Sequence, residues 1–488
     1  MICLNEKTYH DKVMACWIGK NIGGTLGTPF EGKRQLNQIT GFTSPKGEPL
    51  PNDDLDLQLV WLLAGEEQGL QNINPSVLSA YWLEYIVPHW NEYGIGKANL
   101  RAGLLPPLSG HYRNPWKDSN GAWIRTEIWA SLAPADPDQA VRWAFADACV
   151  DHGLGEGTWA ALFTAAVESA AFVIEDLRTL LNIGLSKIPP TCRVARSVNL
   201  AIQAYDTGKN WQEAREIVMA DSRPDLGWFQ APANVAFAVI GLLYGEGDYK
   251  KSLLIAVNCG DDTDCTGATV GALLGIMHGK AFMPQDWIDY IGDRLITISL
   301  NRTLAAVPAT CTELTQRVTA LAQRWSGRGK TSIVPSATEL PENSAREFMG
   351  DEFARELQSL SPYAYAVDTP IGHILLEYDQ EPILAPDETI SIQITITNRT
   401  RAPQQYQLRW FLPVGWAVAG PQSLTTFADK SRACSSGEAK EIAPWDKTAI
   451  GRFTVTAGTD TAPLTRLVAE ISCPGLPQVG YLPVVLLH

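Results

Sequence analysis

Two acidic clusters carry the strongest chemical signal in this chain. The first reads Pro51-Asn52-Asp53-Asp54-Leu55-Asp56, and the second Gly260-Asp261-Asp262-Thr263-Asp264-Cys265-Thr266. Each leads into an apolar run. Acidic residues at a helix start have an ordinary role: they cap free N–H groups and offset the macrodipole. That role becomes insufficient when both clusters hold adjacent or alternating carboxylates and both lead into helices that read as buried. An unpaired buried carboxylate costs several kcal/mol, so two or more together call for a cation. Hard oxygen ligands suit Mg²⁺, Mn²⁺ or Ca²⁺ rather than zinc.

The elements that position these clusters read as helices over the first three hundred residues. Leu55, Leu59, Leu62 and Leu63 fall on one face of a helix over Asp54–Leu63. Asp136 and Pro137 mark the start of a helix to Cys149. Thr158–Ile174 is apolar nearly all round, as a buried helix is. A helix over Asn234–Tyr244 stops at Gly245, and Asp248 caps another to about Val257. In Thr266–Met277 the glycines 267, 271 and 275 form a stripe against which another backbone can pack closely. After residue 360 the period changes to two: Ile390, Ile392, Ile394 and Ile396 alternate with polar residues, as do Tyr406, Leu408, Trp410 and Leu412, and Leu467, Ala469 and Ile471. Turns at Asn398-Arg399-Thr400, Pro413-Val414-Gly415 and Gly458-Thr459-Asp460 separate these strands, which suggests a small β-sandwich. The expected organisation is a helical catalytic domain over 1–326, a linker with one bridging helix (Ala345–Ser359) over 327–360, and a β-sandwich accessory domain over 361–488.

Composition bounds the function. At 45% hydrophobic and 19% charged, the chain reads as folded. A net charge of −14 with no Lys/Arg run argues against nucleic acid and against anionic lipid surfaces. No apolar stretch is long enough to span a bilayer, and the N-terminus has no signal-peptide pattern. Nine cysteines without a Cys-x-x-Cys pair fit reduced thiols in a cytoplasm, although Cys434 and Cys473 are placed to pair. Of 16 Trp, 13 precede residue 330, as core or as pocket lining for a sugar or base.

Five stretches follow one another: Gly19-Lys20-Asn21-Ile22-Gly23-Gly24-Thr25-Leu26-Gly27-Thr28-Pro29-Phe30-Glu31; Asn52-Asp53-Asp54; Ser119-Asn120-Gly121-Ala122-Trp123-Ile124-Arg125; Asp147 with His152; and Asp262-Thr263-Asp264. In that order they resemble the ADP-ribosylglycohydrolase family over roughly residues 10 to 300. The resemblance implies an all-helical fold, hence a mainly α chain with an added sandwich, and a site for one or two Mg²⁺ ions. It implies a metal set of Asn52, Asp53, Asp54, Asp262 and Asp264. Glu31 becomes a further ligand or the group that manages the proton, and Asp54 and Asp262 join it as catalytic. It places Asn120, Gly121, Trp123 and Arg125 at the substrate. His152 reads as a structural residue or a substrate contact, Asn234 as a cap or a substrate contact, and Arg125 as a phosphate ligand or a partner for a site carboxylate.

The departures are specific. Asn52 replaces a hydroxyl residue, Cys265 stands where Thr is often a ligand, Asp261 stands where Gly is common, and Trp123 fills a small-residue position. The implied reaction is hydrolysis at the anomeric carbon of a ribose-like sugar through an oxocarbenium-like state, with the metal orienting sugar hydroxyls and activating water. Three readings follow: an ADP-ribosyl hydrolase; a furanosidase-like enzyme on a glycan or sugar conjugate, suggested by the sandwich and by Trp116 and Trp123; and a non-catalytic binding protein on the same fold.

Overall fold

The helix Glu6–Gly27 begins where the Asn5 side chain accepts the Thr8 N–H at 3.0 Å, and from Ala15 onward every residue is buried. A helix buried all round needs close neighbours. The helix Thr263–His278 supplies one, running antiparallel to it. Gly19 faces Gly271, Gly23 faces Gly267, and Gly275 faces Ala15 so closely that a Cβ at any of these glycines would lie within 3.0 Å of the opposing backbone. The stripe at 267, 271 and 275 is therefore matched by one at 19, 23 and 27 with the same spacing of four. Antiparallel packing sets the C-terminal end of the first helix, and Glu31 just beyond it, against the Thr263 end of the second, where Gly27 meets Thr263.

The chain is known from a computed structural model that describes residues 1–223, 225–301, 307–399, 403–426, 447–459 and 462–488. Thr400, Cys434 and Asp460 lie outside the described residues, and so does any pairing of Cys434 with Cys473. The protein is mainly α with C-terminal antiparallel sheets. The sequence-predicted helices form, with ends at Asp53–Gln68, Pro137–His152, Glu156–Ala171, Ala231–Gly245, Tyr249–Asn258 and Thr263–His278. No helix among the described residues is long and apolar enough to cross a membrane.

Two compact units divide the chain. The helical unit comprises 1–97 and 113–359; the second comprises 98–112 and 360–488. In the second, a four-stranded and a five-stranded antiparallel sheet share one apolar core. Thr389–Asn398 pairs with Gly372–Tyr378 and Thr448–Thr456, so that Ile390, Ile392, Ile394 and Ile396 all point inward. Leu104, Leu108 and Tyr112 belong to the same core.

Two details depart from the sequence reading. The segment expected as a linker contains a strand, Thr331–Val334, that pairs in parallel with Ile2–Asn5 and buries Thr331 and Ile333. Four alternating residues are too short a run to stand out from a turn-rich stretch. The single bridging helix is instead two short ones, Ser344–Phe348 and Glu352–Gln358, separated around Gly350, which breaks the helical run.

Candidate metal and substrate site

Asn52 caps the helix Asp53–Gln68: its Oδ1 accepts the Asp54 N–H at 2.8 Å. The amide oxygen expected to reach a cation is thus engaged with backbone. Because Asn52 does the capping, Asp53 and Asp54 need not. At the other cluster Asp262 is the N-cap residue, yet its side chain makes no capping bond. Capping therefore does not account for either group of carboxylates.

A backbone bridge between Lys33 and Asp261 ties the loop carrying Glu31 to the second acidic loop, with Gly32 N–H donating to the Asp261 carbonyl at 2.9 Å and Asp261 N–H to the Lys33 carbonyl at 3.1 Å. Gly260 and Asp261 both hold positive φ, 81° and 60°. That left-handed turn is why a glycine suits the Asp261 position. Asp261 itself is buried and turned toward Arg34, 3.6 Å away.

These constraints bring two groups of ligand atoms together: Glu31, Asp262 and Asp264 in one, Asp54, Asp264 and Cys265 in the other, each with its atoms within 4.8 Å of one another. Asp264 belongs to both. Asp54 Oδ2, Asp262 Oδ1 and Asp264 Oδ1 are buried with no hydrogen-bond partner among the described residues. The nearest cation, the Lys20 ammonium, is 3.8 Å from Asp54 Oδ2 and is already held by the Ile124 carbonyl and Glu127 Oε1, each at 2.7 Å. Burial pushes the Asp54 and Asp262 carboxyls well above the usual range; Lys20 partly offsets this for Asp54, and Asp264 and Glu31 add to it for Asp262. Buried, mutually repelling, partnerless oxygens fit a divalent cation. Asp53 lies outside both groups; its Oδ2 accepts the Tyr93 hydroxyl at 3.1 Å, and its carboxyl is raised to about 6 by burial and by Asp264.

Glu31, Asp262, Asp264 and Cys265 line a cavity of about 380 Å³ together with Trp90, Tyr93, Trp228 and Phe229. Glu31 sits at its exposed rim, its carboxyl pushed up to about 8 by desolvation, then by Asp264 and Asp53. Glu92 also lines the cavity. It is 1% exposed, its Oε2 has no hydrogen-bond partner among the described residues, and burial raises its carboxyl to about 7 although His152 pulls the other way.

Of the substrate residues expected from sequence, only Gly121 lines this cavity. The others form the layer behind it. Asn120 Nδ2 donates to Asp262 Oδ2 at 2.6 Å, and Trp123 Nε1 donates to Asn120 Oδ1 at 3.0 Å. Asn234 Oδ1 accepts the Asp262 N–H at 3.1 Å. Arg125 is fully buried: its guanidinium donates to Asp147 and Asp151 and to the Gly121 carbonyl, which leaves it no face for a phosphate. His152 is fully buried too, 3.2 Å from Ser119 Oγ and 2.9 Å from Asp151. Trp116 packs edge-on against Phe229, a wall residue, without lining the cavity itself.

Sequence reasoning misses Glu92, Trp90, Tyr93, Trp228 and Phe229. Trp90-Asn91-Glu92-Tyr93 has one local signal, two aromatics set around an acid, but no periodicity to mark its face. Asp56 stands within the first cluster and has no role legible in sequence. Its Oδ2 accepts the N–H groups of Ile298 and Ser299, both at 2.6 Å, and so anchors the loop whose Ile298 lines the cavity.

Comparison with known proteins gives three findings. A family model described as ADP-ribosylglycohydrolase matches residues 5–328. The ADP-ribosylarginine hydrolase Tri1 of Pseudomonas putida (strain GB-1) is 22% identical over 302 residues, 58% of this chain and 74% of that protein. A solved structure titled ADP-ribosylglycohydrolase-related protein complex aligns at 20% identity with a TM-score of 0.41, covering 65% of this chain and 97% of its own.

Proposed function

Because the chain belongs to the ADP-ribosylglycohydrolase family and is a hydrolase of glycosyl bonds, we propose that it removes ADP-ribose from a modified side chain in a divalent-cation-dependent reaction. One observation carries this reading: Glu31, Asp262 and Asp264 converge in the lining of a cavity that Trp90, Tyr93, Trp228 and Phe229 also line. Carboxylates with free oxygens suit a cation, and aromatic walls suit the faces of a ribose and an adenine.

Asp54, Asp262 and Asp264 would hold the cation, with Asn120 and Asn234 fixing Asp262 in place. A bound divalent ion supplies charge that orients ribose hydroxyls and polarises an attacking water. Asp53, held by Tyr93 on the wall of the cavity, would add negative charge that favours an oxocarbenium-like state. Glu31, at the exposed rim of the cavity, would join Asp262 and Asp264 as a further ligand. Glu92, on the wall of the same cavity, is placed to take a proton from the water. Among the described residues no two cysteines form a disulfide, which suits a reducing, cytoplasmic setting.

The test is release of ADP-ribose from an ADP-ribosylated arginine peptide, with Mg²⁺ and with EDTA, beside a panel of nitrophenyl furanosides. Release that requires the metal is the expected result. Turnover of furanosides without release of ADP-ribose would transfer the site to the sugar-conjugate reading.

A further inference from the structure

The two ligand groups share Asp264 but differ in kind. Glu31, Asp262 and Asp264 offer only carboxylate oxygen, whereas Asp54, Asp264 and Cys265 include a sulfur. Cys265 is 5% exposed and lines the cavity, and its Sγ lies 3.4 Å from Asp54 Oδ1. The thiol does not stand alone. Asp264 Oδ1, on a side chain that is 5% exposed, has no hydrogen-bond partner among the described residues and belongs to the same group of atoms. Asp54 Oδ2 is likewise without one, and the ammonium nearest to it is held by other acceptors. The position thus has two carboxylates and one thiol against one nearby ammonium, Lys20, which Glu127 shares.

Sulfur changes which ion such a position prefers. A hydroxyl in place of Cys265 would make an all-oxygen site for hard ions; a thiolate favours borderline ions of the zinc and cobalt class. We propose that Asp54, Asp264 and Cys265 form a thiolate-containing position selective for a zinc-class ion, next to an all-carboxylate position for a hard ion, with Asp264 common to both. On coordination the Cys265 thiol proton passes to solvent and the sulfur donates an electron pair to the ion; nothing is oxidised or reduced. The inference rests on the proposed function only in taking the site to bind divalent cations.

The experiment uses the full chain stripped of metal. Co²⁺ titration should produce a sulfur-to-cobalt charge-transfer band in the near ultraviolet, and that band should vanish in Cys265→Thr and in Cys265→Ser. Zinc affinity should fall by about 100-fold or more in both, since even outer-shell partners of a ligand are worth about 10–100-fold. Mg²⁺ affinity should hold or improve. The zinc-edge absorption spectrum of the unmutated chain needs no variant: it should show a sulfur neighbour at about 2.3 Å. A zinc shell of oxygen and nitrogen alone would overturn the proposal, as would a cobalt band that survives both substitutions. A sulfur signature without ADP-ribosyl hydrolysis would sink the functional reading and spare this one; hydrolysis with an oxygen-only shell would do the reverse.

Discussion

At the residue scale, the proposed function separates groups that would hold an ion from groups that would handle protons, and substitution should separate them too. Asp54→Asn and Asp262→Asn remove a buried carboxylate from a set whose nearest ammonium, Lys20, is shared with Glu127. We expect both variants to lose hydrolysis and cation binding, while the metal-free fold becomes as stable as the parent or more so, read by thermal melting in EDTA at pH 8. Glu92→Gln should behave differently. It keeps the shape and removes one proton acceptor, so kcat should drop by about 10²–10⁴-fold with cation affinity unchanged by calorimetry. A fall in cation affinity would make Glu92 a ligand instead. The carboxylates of the proposed ion site are legible in sequence because adjacent acids leading into buried helices repel one another and lose their hydration unless an ion joins them. The residues that line the cavity wall are not. Arg125, His152 and Asn234 are polar residues whose partners sit far away in sequence, and sequence alone does not say whether a polar side chain faces a cavity or braces the wall behind it. Here Arg125 is spent on Asp147 and Asp151, and Asn234 on the Asp262 backbone.

At the element scale, the site depends on two helices whose backbones nearly touch. Gly23→Ala would drive a Cβ into the Gly267 carbonyl, where only backbone could give way. We expect a loss of about 3 kcal/mol or more, at or beyond the upper end of ordinary overpacking, measured by urea unfolding. A loss near the ~0.5–1 kcal/mol gained or lost by ordinary helix Gly/Ala exchange would show that the helices can separate. The consequence for function is direct, because this contact sets Glu31 against Asp262 and Asp264. The glycines at 267, 271 and 275 announce a close partner in the sequence, but not which one. The matching period at 19, 23 and 27 is also present in the sequence, where it is masked by its place inside a longer Gly-rich motif. Strand periodicity in Thr389–Asn398 is plain because one face is wholly buried. The strand Thr331–Val334 is hidden because it is short and pairs with the distant residues Ile2–Asn5.

At the scale of the whole molecule, charge and topology each make a demand. Glu31, Asp53, Asp54, Asp56, Glu92 and Asp262 all have carboxyls raised above their ordinary values, Asp53 to about 6, Asp56 and Glu92 to about 7 and Glu31 to about 8. Folded carboxyls with raised pKa bind more protons than the unfolded chain does, so metal-free stability should fall as pH rises from about 4 to 8, the opposite of a salt-bridged carboxylate. Saturating Mg²⁺ should flatten that fall, and melting curves with and without the ion would show it. A metal-free chain most stable at pH 8 would contradict the reading that burial raises these carboxyls.

Topology makes the last demand. The sandwich reads in sequence as a tail that could be cut away near residue 360, since its strands begin there. Yet its core takes Leu104 and Leu108, both fully buried, and Tyr112 from a segment that the chain supplies some 250 residues earlier. No periodicity in 98–112 betrays this, because a few apolar residues between helices look the same whichever core they join. Cutting at 359 should therefore leave those three side chains without their core, at about 1.5–3 kcal/mol for each fully buried aliphatic one. The truncated chain should expose apolar surface, bind a hydrophobic dye and aggregate. Replacing Leu104 and Leu108 by Gln in that truncated chain should recover solubility, whereas the same pair in the full chain should destabilise the sandwich. If the untouched truncation were soluble and monomeric by light scattering, residues 98–112 would not owe their burial to the sandwich.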